Sequence, residues 1–233
     1  MFFSLLVLWP AIKVKWQLPP NLSRARRLTG ENVVLKLVKS HEFAIHSFLS
    51  SIKSECNHTI HILDQIALGI EKVIVMPAEV ALPNVYDAVF KTGGNRLAYQ
   101  FLEGVRFMHQ QRVAHLDLKA DNIVVTRRGL RLVIIDFNLS VQVLQQESWI
   151  KGYRGTEEWV APEIEEPDPV YRPIRADLWS AGRVLQYFAN RQHSDTESPF
   201  KSLMNALLGH DPAHRPLLSE TRLHYADDQA WKF

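Results

Sequence analysis

The chain has 233 residues, 46% hydrophobic and 22% charged, values that exclude wholesale disorder and suffice for one large domain or two small lobes. A net charge of +2 is too small to draw the chain to nucleic acid or to an anionic membrane surface. The single cysteine, Cys56, excludes an internal disulfide framework and fits a reducing intracellular compartment, cytoplasmic or nuclear.

Phe2 to Trp9 is apolar apart from Ser4, but Pro10 follows and the run is far too short to span a bilayer. It lacks a basic leader and a small-residue cleavage site, so it does not read as a signal peptide. A core strand and an unusual start to the coding sequence are the two open readings. Pro19, Pro20 and the basic cluster Arg24, Arg26 and Arg27 then suggest a solvated face. Thr29-Gly30-Glu31-Asn32 is a turn signal, and the β-branched run Val33 to Val38 predicts a strand. Lys36 inside that run is costly unless a carboxylate meets it. Glu42, Ile45, Leu49 and Ile52 follow helical spacing, which puts Glu42 on the apolar face of a helix that begins almost at once. Val73 to Met76 predicts a further strand, with Pro77 ending its pairing capacity. Leu97, Phe101, Val105 and Met108 mark a core helix. His58 and His61 have no cysteine or carboxylate cluster to complete a zinc site and read as ordinary histidines.

The stretch from His115 to Asp136 holds the chemistry. Two apolar runs, Ile123 to Thr126 and Leu130 to Ile135, flank Arg127-Arg128-Gly129 and predict a β-hairpin. Asp117, Asn122 and Asp136 sit at its ends, so the hairpin brings three oxygen donors together with Lys119 beside them. Hard oxygen ligands and a lysine suit Mg²⁺ and a phosphate. A polar segment, Ser140 to Arg154, leads to Gly155-Thr156-Glu157-Glu158-Trp159-Val160-Ala161-Pro162-Glu163. Asp177-Leu178-Trp179-Ser180-Ala181-Gly182 and His214-Arg215-Pro216 complete the notable stretches, and no internal repeat occurs.

These residues resemble protein kinases in order and spacing. His115 to Asn122 is similar to their catalytic loop H-R-D-L-K-x-x-N, and Asp136-Phe137-Asn138 to D-F-G. Val33 to Lys36 resembles V-A-I-K. Gly155 to Glu163 resembles the end of the activation segment, G-T-x-x-Y-x-A-P-E, and Asp177 to Gly182 the D-x-W-S-x-G that opens a long helix. The resemblance runs from about Thr29 to Pro216. It implies an α+β, two-lobe kinase-like fold forming a single domain over 1–233. The N-lobe, about 22–80, would be a reduced small sheet with one helix, and the C-lobe, about 81–225, mainly helical. It implies ATP and Mg²⁺ as cofactors and a protein Ser or Thr hydroxyl as acceptor. Lys119 favours that acceptor over tyrosine, and A-P-E with D-x-W-S-x-G favours proteins over small molecules. By the same resemblance Asp117 orients or accepts the hydroxyl proton and Lys119 neutralises the transferring phosphoryl. Asn122 and Asp136 hold Mg²⁺, while Lys36, braced by Glu42, positions the phosphates. Val34, Met76, Ala78 and Val124 surround the nucleotide. Asp177 anchors the catalytic loop through backbone N–H groups, and Arg215 pairs with Glu163.

The departures define the alternative, a pseudokinase acting as a binding or scaffold module. Nothing resembling G-x-G-x-x-G precedes Val33, since the first glycine is Gly30. Val34 stands where a smaller alanine is usual, and Asn138 replaces glycine. The full set Lys36, Asp117, Asn122 and Asp136 argues for catalysis. Leu116 replaces the arginine that receives an activation-segment phosphate in kinases switched that way. A phosphate on Ser140, Ser148 or Tyr153 would lack that partner, so activity without segment phosphorylation is expected.

Overall fold

The computed structural model describes residues 12–17, 21–68, 71–127, 129–192 and 198–223; Phe2 to Trp9 lies outside them. Alternation of buried and open positions in the first part of the chain builds one antiparallel sheet of five strands. These are β1 (Ile12–Gln17), β2 (Leu22–Arg27), β3 (Asn32–Val38), β4 (Asp64–Leu68) and β5 (Glu71–Pro77), in the order β1-β2-β3-β5-β4. Val33 and Leu35 of β3 pack with Ala25, Val73 and Val75 on one face. Val34, Lys36 and Val38 therefore project from the other face, towards the rest of the molecule. The sheet starts at Ile12, ahead of the boundary expected at residue 22. The last strand also runs one residue further than expected. Pro77 pairs with Val33 at the end of the ladder, where a missing N–H removes no interior bond.

Lys39 alone separates β3 from α1 (Ser40–Ser51), whose buried face is Glu42, Ile45, His46 and Leu49. After β6 (Val80–Ala81) comes α2 (Asp87–Gln110), which buries Leu97, Phe101, Val105 and Met108 in one stripe. Four short strands carry the next region: β7 (Val113–Ala114), β8 (Ile123–Val125), β9 (Leu132–Ile134) and β10 (Val141–Gln142). The expected hairpin is β8 with β9, in register Ile123↔Ile134 and Val125↔Leu132. Its strands are shorter than the apolar runs because Leu130 takes a left-handed turn conformation, φ 47°. Then follow β11 (Ile150–Lys151), the single turn α3 (Pro162–Glu165), β12 (Val170–Tyr171), α4 (Pro173–Gln192) and α5 (Lys201–Leu207).

The two long helices pack through aromatic side chains, with Phe188 of α4 5.9 Å from Phe90 and 6.5 Å from Phe101 of α2, centroid to centroid. One apolar cluster joins this helical lobe to the sheet, running from Ile45, Leu49 and Ile74 through Phe137 to Phe101 and Leu178. Burying each such side chain contributes about 1.5–3 kcal/mol. The result is an α+β, two-lobe kinase-like fold. No helix among the described residues is long and apolar enough to cross a membrane.

Candidate active site between the lobes

A cavity of about 450 Å³ opens where the sheet meets the hairpin, a volume suited to a nucleotide-sized ligand. Lys36 reaches into it from β3. Its Nζ donates to Asp136 Oδ1 at 2.8 Å and to Glu42 Oε1, so one ammonium bridges two carboxylates from opposite lobes. Burial alone would lower the Lys36 pKa, but the Asp136 and Glu42 carboxylates outweigh it and hold the ammonium above its usual range. Burial likewise works to raise Asp136, yet Lys36 and the Asn138 N–H bring its carboxyl below the ordinary range. For Glu42 burial prevails and pushes the carboxyl up against the pull of Lys36.

The catalytic-type loop leaves β7 at Ala114 and is hung from a buried carboxylate. Asp177, fully buried on α4, accepts the N–H of His115 at 2.6 Å on Oδ2 and that of Leu116 at 2.7 Å on Oδ1. His109 Nε2 donates to the same Oδ2 at 3.1 Å. These charge-assisted bonds offset the cost of a left-handed Leu116, φ 61°, which is on the order of 1–2 kcal/mol. His115 then donates from Nε2 to Ile135 O at 3.0 Å and accepts the Asp117 N–H on Nδ1 at 3.2 Å, which ties the loop to the hairpin's far end.

Asp117 is held on both oxygens. Oδ1 accepts the Thr156 hydroxyl at 2.6 Å, while Oδ2 accepts Asn122 Nδ2 at 2.8 Å and lies 3.0 Å from Lys119 Nζ. Lys119 also donates to Thr156 Oγ1 at 2.6 Å, so lysine, threonine and aspartate form a closed ring of contacts. Asn122 is placed by the tight turn Ala120–Asn122. Its amide nitrogen is taken up by Asp117, which leaves the amide oxygen as the atom with cation-ligand chemistry. No group of three or more His, Cys, Asp or Glu among the described residues could hold a metal alone. One carboxylate and one amide oxygen fit a hard cation that takes its other ligands from phosphate and water, as Mg²⁺ does.

The structure gathers most of the expected residues. Val34, Lys36, Met76, Val124 and Asp136 line the cavity, and Glu42 stands behind Lys36. Ala78 corrects the expectation. Its N–H donates to Asn32 O at 3.1 Å, and it lines a smaller adjoining recess of about 180 Å³, because β3 starts opposite this point of the chain. Leu22, Ile60, Asn84 and Ile135 also line the cavity and were missed, as were Arg24 and Arg127 at its wall. The alternation of β2, with Ser23 and Ala25 buried, was the signal that could have placed Leu22 and Arg24 on the cavity side. The Thr156 hydroxyl was missed because nothing local ties residue 156 to residue 117.

Downstream, the segment is anchored on the helical lobe. Arg215, fully buried, donates from Nη1 and Nη2 to the two Glu163 carboxylate oxygens at 2.6 and 2.8 Å. Gly155, φ 124°, lies against the catalytic-type loop, where an added Cβ would fall 3.0 Å from Leu116 O and 2.2 Å from Val160 Cγ1. Ser140 is fully buried with its hydroxyl on His115 O, so it offers no accessible hydroxyl for modification.

A bridging lysine between lobes, an aspartate caged by lysine, amide and threonine, and a glutamate locked by a buried arginine are the arrangement of a protein-kinase-type domain. The chain belongs to the protein kinase family: the family profile described as "Protein kinase domain" matches residues 23–194. Among curated relatives, it is 43% identical over 94 residues to Serine/threonine-protein kinase 17A of Oryctolagus cuniculus, covering 40% of this chain and 23% of that protein. It is 25% identical over 202 residues to Serine/threonine-protein kinase SKM1 of Saccharomyces cerevisiae, covering 78% of this chain and 30% of the relative. With CBL-interacting protein kinase 8 of Oryza sativa it shares 27% identity over 170 residues, covering 67% and 38%. The chain thus spans well under half the length of each of these relatives.

Proposed function

We propose that the protein transfers the γ-phosphoryl group of ATP to a Ser or Thr hydroxyl of a protein substrate inside the cell. The observation that carries this reading is the Asp117 carboxylate, fixed by Asn122, Lys119 and Thr156 on the same side of the lobes' junction as the Lys36–Asp136 contact. Adenine would lie between Leu22, Val34 and Met76 of the sheet and Val124 of the hairpin. Lys36, kept charged and braced by Glu42, would bind the phosphates; Asn122 and Asp136 would hold Mg²⁺, whose charge offsets that of the phosphoryl oxygens. The substrate oxygen bonds to the γ-phosphorus, the bond from that phosphorus to the bridging oxygen breaks, ADP leaves, and the hydroxyl proton passes to Asp117. Lys119 would neutralise negative charge on the transferring group. Little covalent work falls to the protein; positioning and charge stabilisation carry the rate.

One observation favours a scaffold instead. The residues between β1 and β2 are Leu18-Pro19-Pro20-Asn21, and prolines have no amide hydrogen to offer a phosphate. Incubation of the purified protein with labelled ATP, Mg²⁺ and a mixture of Ser- and Thr-containing proteins decides between the two. Transfer that disappears in Asp117→Asn supports the kinase; equal label with wild type and variant overturns it and leaves the binding module.

A further inference from the structure

The segment from Ser140 to Arg154 is tied down at both ends. At its start Val141 and Gln142 pair with Ala114 and Val113, and Val143 N–H and Leu144 O bond to Arg112 at 2.8 Å each. At its end β11 pairs with β12, Ile150↔Tyr171. Between these ties Gln145 to Trp149 forms a turn, closed by the Ser148 N–H on Gln145 O at 3.1 Å. Glu147 is the only charged residue in that turn. Its Oε1 accepts Arg175 Nε at 3.0 Å and Nη2 at 2.7 Å, and its Oε2 lies 3.0 Å from Arg172 Nη1. The Arg172 guanidinium also covers the Trp149 ring, 4.7 Å from its centroid. Arg175 continues inward: its Nη1 donates to Arg215 O at 2.5 Å, while Arg215 Nη1 donates to Arg175 O at 2.9 Å. Glu147, Arg175, Arg215 and Glu163 therefore form one connected chain from the middle of the segment to its anchor.

We infer that Glu147 is a positioning residue whose carboxylate, gripped by Arg172 and Arg175, holds the activation segment on the helical lobe as a phosphate would. The inference rests on the kinase reading of the site. A lone surface ion pair would not support it, since such pairs contribute little. Here the arginine fork is already oriented by the Arg215 carbonyl, so little freedom is lost on pairing. The Arg175 side chain is also only 13% exposed. Without the carboxylate two guanidinium groups would face each other across the same point. An anion is thus required there, and the chain supplies it as glutamate. A phosphate needs an arginine cluster for its ordering effect; this cluster is taken.

The test uses the full chain, dephosphorylated and checked by mass spectrometry, with Glu147→Gln, Glu147→Asp and Arg172→Gln. Glutamine matches the size of glutamate, so a difference reads charge rather than packing. In Glu147→Gln, trypsin should cut after Lys151 and Arg154 about tenfold faster and kcat should fall about tenfold, with KM for ATP unchanged, as expected when a loop loses a charge-assisted anchor. Glu147→Asp should give intermediate values, and Arg172→Gln a smaller change in the same direction. Raising NaCl from about 0.05 to 0.5 M should speed cleavage of the wild type more than that of Glu147→Gln, because the exposed Lys151–Asp168 pair is screened in both and the Glu147 contact in the wild type alone. Equal cleavage rates in wild type and Glu147→Gln overturn the tether, whatever the activity. If cleavage differs but the wild type transfers no phosphoryl, the tether stands and the kinase reading falls.

Discussion

Lys36 Nζ and Asp136 Oδ1 lie 2.8 Å apart although they come from opposite lobes, 100 residues from one another in the chain. The contact closes the cleft from behind, and on the other side of the ammonium stands Glu42, so the lysine is shared between the carboxylate of a helix and that of the hairpin. Any anion that enters the cavity meets a charge already desolvated and oriented, which is the condition under which a cation acts most strongly.

The first prediction concerns this lysine as a fixture of the small lobe. Lys36→Met leaves Glu42 buried without its partner and should lower stability by roughly 3 kcal/mol. The double variant Lys36→Met with Glu42→Leu should recover much of that loss, since the buried carboxylate is gone and the Asp136 carboxylate left behind is 38% exposed and still reaches water. Urea unfolding of the three proteins measures it; additive losses in the double variant would refute the coupling.

The second concerns the cation. If Asn122 and Asp136 act on Mg²⁺ against phosphate oxygens, ATP should raise the melting temperature more with Mg²⁺ than with EDTA. Asp136→Ala should erase most of the difference. Equal shifts with and without the metal would count against the assignment.

Asp117→Asn tests the chemistry. The side chain keeps its size and its contacts with Thr156, while the anion that orients and accepts the proton is lost. Phosphoryl transfer should drop by about 10²-fold or more, with ATP binding little changed. Unaltered turnover would place the activity elsewhere.

Regulation follows from Leu116. This residue is buried at 3% exposure and carries no donor, so the catalytic-type loop offers no cation at this position to a segment phosphate, and the Arg172–Arg175 cluster is occupied by Glu147. Phosphatase treatment, verified by mass spectrometry, should therefore leave the transfer rate unchanged. Ser148 and Tyr153 are the hydroxyls to follow, because Ser140 is fully buried. A tenfold loss, restored on rephosphorylation, would overturn this prediction.

The pH dependence of stability should carry a mark of His46. The ring is buried against Phe137, 4.9 Å between centroids, and burial lowers its pKa from 6.5 to about 4. Because the unfolded chain binds this proton more readily, the neutral ring stabilises the fold fully above about pH 6.5. That contribution is lost as pH falls towards 4, amounting to about 2–3 kcal/mol at pH 4.5. His46→Gln keeps a donor for Ile60 O and should show a shallower fall between pH 7 and 4.5 in urea titrations. Identical pH profiles would assign the acid sensitivity to other groups.

What the sequence made legible were features written in local order: the hairpin with Asp117, Asn122 and Asp136 at its ends, the helical spacing that turns Glu42 inward, and the position of Asp177 at the start of a long helix. Contacts set by register across the sheet were not legible. The pairing of Val33 with Pro77 decides that Ala78 gives its N–H to Asn32 rather than to the cavity, and no pattern around residue 78 announces it. Leu22 is an intermediate case: the alternation of β2 hints at its face, but it reaches the cavity because it pairs with Lys36. Thr156 and Glu147 belong to a third kind. Their partners, Asp117, Arg172 and Arg175, become neighbours only when an irregular segment folds back over the helical lobe.

The brevity of the join between β3 and α1 has a mechanical consequence. With Lys39 as the sole residue between strand and helix, the start of α1 at Ser40 can lie no more than about 7 Å from the end of the strand at Val38. So short a join limits how far the turn that carries Glu42 can be displaced from the strand that carries Lys36. His41 fastens the same turn from outside, its Nε2 2.7 Å from Ser140 O. The start of α1 is thus fixed at three points, by the one-residue join, by Glu42 on Lys36 and by His41 on Ser140, and its first turn carries Glu42 to the lysine with no intervening loop.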